Sequence, residues 1–102
     1  MREIKELVGD IKHELKGAEK YAREAVKHKT EYPALAAVYY RMACEKLDHV
    51  DMLHKEAVTM IDRAERAGKD VPRGMRDIWA WYHDMMIEDA SDIRHTLDMY
   101  KG

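Results

Sequence analysis

Glu14, Lys46, His49 and Asp89 are the residues whose types and positions ask most of this chain. All four are ionisable, and each falls on or beside a stripe of apolar residues when the sequence is wound at about 100° per residue. Glu14 lies seven residues from both Leu7 and Tyr21, on the flank of a first stripe. Lys46 lies seven from both Tyr39 and Leu53, near the middle of a second. His49, three further on, points the same way, while Glu45 falls at that stripe's edge. Asp89, three after Met86 and four before Ile93, stands near the centre of a third stripe. Ionised groups are costly to bury unless opposite charges meet them. The expected chemistry is therefore charge pairing, with the Lys46 ammonium between the Glu14 and Asp89 carboxylates and His49 beside them. Of the other histidines, His13, His28 and His95 read as solvated, and His54 and His83 sit near stripe edges.

Three helices must position these groups. The first spans about 2–29, with apolar residues Ile4, Leu7, Val8, Ile11, Leu15, Ala18, Tyr21, Ala22, Ala25 and Val26 at helical spacing. Gly9 and Gly17 weaken its interior a little. Thr30-Glu31-Tyr32-Pro33 breaks it: Thr30 is a candidate cap and Pro33 suits a first helical turn. The second helix spans about 33–67 on the stripe Leu35, Tyr39, Met42, Ala43, Val50, Leu53, Ala57, Met60, Ile61 and Ala64, and Gly68 offers its stop. Pro72 opens the third, about 72–100, on Met75, Ile78, Trp79, Tyr82, Met86, Ile93, Leu97 and Tyr100. Short connections make neighbouring helices antiparallel. Folding back at Thr30 sets Glu14, 16 residues before it, level with Lys46, 16 after it. Folding back near 69–70 brings Asp89 level with His49, so one mid-bundle layer holds all four groups.

Composition narrows the class. The 102 residues suffice for one domain, 1–102, and 37% charged with 46% hydrophobic residues describes a folding chain. A net charge of −2 with both signs mixed predicts no nucleic-acid partner. No apolar run approaches the roughly 18 residues of a membrane span, and no signal peptide is expected at the start. Cys44 is alone, so neither an intramolecular disulfide nor a cysteine-built zinc site is expected, and a reducing, cytoplasmic setting follows.

Glu14-Leu15-Lys16-Gly17-Ala18-Glu19-Lys20-Tyr21-Ala22 resembles the E-L-x-x-A-x-x-Y-A pattern of a first ferritin-like helix. Met42-Ala43-Cys44-Glu45-Lys46-Leu47-Asp48-His49, continued by Met52-Leu53-His54, resembles the helix that carries that superfamily's E-x-x-H pair. The chain thus resembles the ferritin-like superfamily, and within it the small rubrerythrin-like proteins, most closely over the first two helices. The resemblance implies a bundle enclosing two iron or manganese ions between glutamates and E-x-x-H pairs. Glu14 and His49 map onto ligands, with Glu45 and Asp89 as further carboxylates for the metal set. The chain departs from the pattern at Lys46, which stands where the E-x-x-H glutamate belongs, and in having no fourth helix. The nearest later pair, Asp92-Ile93-Arg94-His95, turns its histidine outward. An ammonium between Glu14 and Asp89 takes the place and charge of a divalent ion.

Two functions follow. In the first, an altered, degenerate di-metal centre needs no cofactor and the bundle works through protein contacts, as a helical regulator does. In the second, iron or manganese is bound and supports oxidase or peroxide-scavenging chemistry; the lone cysteine excludes a rubredoxin-type centre. Trp81, Met85 and Met99 lie beside the third stripe rather than on it, which predicts a second packing face and a homodimer that completes the bundle.

Overall fold

The computed structural model describes residues 2–68 and 73–102, without the side chains of 73–75 and 78. Pro72, expected at the start of the third helix, therefore lies outside the described residues, as do the side chains of Met75 and Ile78. The chain is all-α: α1 spans Arg2–His28, α2 Pro33–Arg66 and α3 Arg73–Lys101, and no strand occurs among the described residues. Together they form a rod of 57 × 18 × 17 Å. At 1.5 Å per residue a helix of 34 residues is about 51 Å long, so α2 spans nearly the whole rod.

The α1 stripe resolves into Ile4, Ile11, Leu15, Ala18, Ala22 and Ala25, all buried at spacings of seven, four and three. On α2 the buried set is Ala36, Ala43, Val50 and Ala57, a strict repeat of seven. Leu35, expected on that stripe, is exposed, because Ala36 takes the inward position. On α3 the buried line is Met86, Ala90, Ile93 and Leu97. Small side chains thus dominate the α1/α2 seam: Ala18, Ala22, Ala25, Ala36 and Ala43 are completely buried. Alanine lets two helix backbones approach closely, and α1 and α2 are the closest-packed pair. Partners along this seam run from Ile4 with Ala57, Met60 and Ile61, through Glu14 with Lys46 and Tyr21 with Tyr39, to His28 with Tyr32. As α1 advances, its partners step back toward the start of α2.

α2 and α3 make the slightest backbone contact. Large rings fill the space between them, with Tyr40 stacked on Tyr100 at 4.8 Å and His54 on Trp79 at 6.0 Å. An exposed pair, Arg76 to Glu65 at 3.0 Å, joins the ends of these helices near the second turn.

The expected turn chemistry needs one correction. Thr30 lies within the turn, and the residue preceding the helix is Tyr32, which offers no side-chain cap; Pro33 takes the first helical position. Gly68 follows α2 with φ +70°, and its N–H donates to the Glu65 carbonyl at 3.1 Å. The left-handed backbone there suits glycine, which carries no Cβ to clash.

Candidate functional site

Glu14, Lys46 and His49 do meet. The Lys46 ammonium lies 2.9 Å from Glu14 Oε2, and His49 Nδ1 lies 3.4 Å from the same oxygen. The helices bring them together by the level-matching that the Thr30 turn imposes. Gly17 makes the route possible. A Cβ built there would stand 3.3 Å from Lys46 Cε and 3.4 Å from Cδ, so the lysine stem lies across the bare backbone of α1 one turn beyond Glu14. In the sequence Gly17 reads only as a helix weakness; its place three residues after the carboxylate is the signal that it clears a path. Burial pushes the Glu14 carboxyl up, but hydrogen bonds from Lys46 and His49, aided by their charges, outweigh it and hold the group below its ordinary value.

The layer differs from expectation in depth and membership. No polar or charged residue is fully buried among the described residues. The Lys46 and Glu14 side chains keep 27% and 19% exposure, so water screens the pair and its worth lies between the exposed and buried limits. Lys46 runs its stem along the seam and lifts its head to the rim. Glu45 is exposed on the α2 surface, one turn before His49. Asp89 is exposed too, and does not pair with Lys46. It lines a groove of about 270 Å³ between α1 and α3, with Lys12, Lys16, Glu19 and Asp92. The reason is Ala90: this small residue holds the inward position between Met86 and Ile93, which rotates Asp89 about 100° to the flank. The ion pair therefore has two members, Glu14 and Lys46, with His49 at its margin.

Trp81, Met85 and Met99 are exposed at 62%, 40% and 51%, off the core as their spacing requires. Glu88 and Asp92 interrupt the surface between Met85 and Met99, so Trp81 and Met85 make one patch and Met99 stands apart.

One constellation went unread in the sequence. His54 and His83 meet across α2 and α3 with ring centres 4.9 Å apart. Both are about equally far from the second turn, so the counting that set Glu14 level with Lys46 also sets these two at one level.

Among the described residues, no three His, Cys, Asp or Glu side chains converge on a point that would hold a metal ion. No helix among the described residues is long and apolar enough to cross a membrane. No family model matches the chain, and neither curated proteins nor solved structures yield a match to it.

Proposed function

We propose that this chain is a ferritin-like antiparallel helical bundle in which a lysine has taken the place of the metal. The observation that carries this reading is the Lys46 ammonium, 2.9 Å from Glu14 Oε2, with His49 on the same oxygen. Glu14 and His49 correspond to the carboxylate and imidazole of a ferritin-like site, and Lys46 stands at the E-x-x-H glutamate. Its positive charge neutralises Glu14, as a divalent ion would, but leaves no electrophilic or redox-active centre. The stepwise pairing of α1 with α2 and the short connection between them support the antiparallel arrangement. The protein then acts through contacts. The Trp81–Met85 patch serves a homodimer, and the mixed surface charge, with no membrane-spanning helix, suits a cytoplasmic protein.

The competing reading, an iron or manganese protein with oxidase or peroxide-scavenging activity, draws on the contact between Glu14 and His49. It requires Lys46 to swing away and a carboxylate such as Glu45 to turn inward.

Elemental analysis of untagged protein, with sedimentation analysis, tests the proposal. Iron and manganese far below one ion per chain, and a concentration-dependent dimer weakened by Trp81→Ser, are expected. Stoichiometric iron or manganese would refute the substitution of metal by lysine. A monomer at tens of micromolar, with no concentration dependence, would refute the dimer.

A further inference from the structure

The α2/α3 seam carries an unsatisfied nitrogen. His54 Nε2 is closed off from solvent and has no hydrogen-bond partner. Such an atom calls for water or an ion to complete it. His83 lies beside the His54 ring from α3, the two rings tilted by 32° with centres 4.9 Å apart, and Trp79, 6.0 Å from His54 and 6.2 Å from His83, closes a cluster of three rings. A cavity of about 180 Å³ adjoins them, walled also by Val50, Asp51, Met86 and Arg94.

The spacing suits coordination. Metal–nitrogen bonds of about 2.0–2.1 Å put each imidazole centre roughly 3.2 Å from the ion, so two imidazoles on a tetrahedral ion have centres about 5 Å apart. The observed separation falls within a few tenths of an ångström of that value. Burial, and then the charge of His83, hold His54 below the ordinary imidazole value, which favours the neutral ring, with one nitrogen lone pair able to coordinate. Lys55 adds to this shift, and Asp51 opposes it.

We propose that His54 and His83 bind one borderline divalent ion, copper(II) or zinc(II), between α2 and α3. No third protein ligand joins them among the described residues, so water completes the coordination. Asp51 and Arg94 both line the cavity, with Asp51 paired to Lys55 at 3.1 Å. The ion fastens the two helices where their backbones touch least. This site does not depend on the ferritin-like reading. His54 is five residues beyond His49 and about 140° around α2, facing α3 rather than Glu14.

The test is calorimetric titration of the untagged, chelator-treated full chain with copper(II) and with zinc(II), beside His83→Gln and the surface control His95→Gln. One ion per chain is expected, bound at least about tenfold more weakly by His83→Gln and unchanged by His95→Gln, since even indirect disturbance of a metal ligand commonly costs that much. Equal binding by His83→Gln and the parent, or no binding by the parent, would overturn the proposal. Paramagnetic resonance of the copper-loaded parent gives a reading independent of any variant's folding: two coupled imidazole nitrogens support the site, and one or none contradicts it.

Discussion

The seam between α1 and α2 and the seam between α2 and α3 are built from opposite materials. The first is alanine against alanine, with backbones close and one ion pair laid over its rim. The second is ring against ring, with backbones apart, a cavity, and a buried nitrogen without a partner. A close seam has no room for an incoming ligand, so its polar groups must satisfy one another at the edge. A wide seam leaves space and unmet hydrogen-bonding capacity together, which is where a ligand gains most. A larger side chain, a lost charge and a change of pH should therefore act differently on the two.

The largest contrast is steric. Ala22→Leu forces extra methylenes into the close seam and should lower stability by about 1–3 kcal/mol, a clear fall in melting temperature. His54→Leu, in chelator-treated protein, removes the orphaned nitrogen and should leave stability unchanged or raise it by about 1 kcal/mol. Equal losses from both, measured by thermal melts, would erase the distinction between the seams.

Charge comes next. Lys46→Met leaves Glu14 half-buried with only His49 beside it, and should cost about 1 kcal/mol. The larger penalty of a fully buried pair does not apply, because both partners keep solvent contact. A melt identical to the parent's would make the pair a surface ornament.

Acidity separates the seams by window. The His54 value is depressed in the folded state, so the unfolded chain takes up protons first as pH falls. Stability from this group is present above about 6.5 and is lost as pH falls toward the lower folded value. Glu14 is also depressed, so its contribution is present above about 4.5 and is lost as pH falls through its folded value. Denaturant titrations should show a first loss below about pH 6.5 that His54→Leu abolishes and Lys46→Met does not. Retention of that loss in His54→Leu would assign it elsewhere.

The smallest effect compares two glycines on α1. Gly9→Ala meets nothing within 4 Å and should stabilise by about 0.5–1 kcal/mol. Gly17→Ala gains the same helix propensity but pushes the Lys46 stem, so its net gain should be smaller. Equal gains would show that the stem moves aside freely.

The three helices were legible because period and punctuation agree: Pro33 and Gly68 mark ends that the structure keeps, and the expected helix ends that fall on described residues shift by at most one residue. The Glu14–Lys46 level was legible because a short turn leaves little freedom of register. Depth was not. Alanines carry a weak hydrophobic signal, so Ala36 and Ala90 were passed over for Leu35 and Asp89, which turn out to lie on the flanks. The His54–His83 meeting needed both the register and the direction of each ring, and only the folded backbone supplies the second.

The central claim is that Lys46 stands in for a metal, and one variant tests it most directly. Lys46→Glu creates an E-x-x-H pair with His49 and sets a second carboxylate near Glu14. Thermal melts of parent and variant, each with and without manganese(II), bear on the claim alone, because manganese is the weakest of the first-row divalent ions at an imidazole site such as His54–His83. The account predicts a variant that melts below the parent without metal and recovers with manganese, while the parent does not respond. A parent stabilised by manganese, or a variant indifferent to it, would contradict the account.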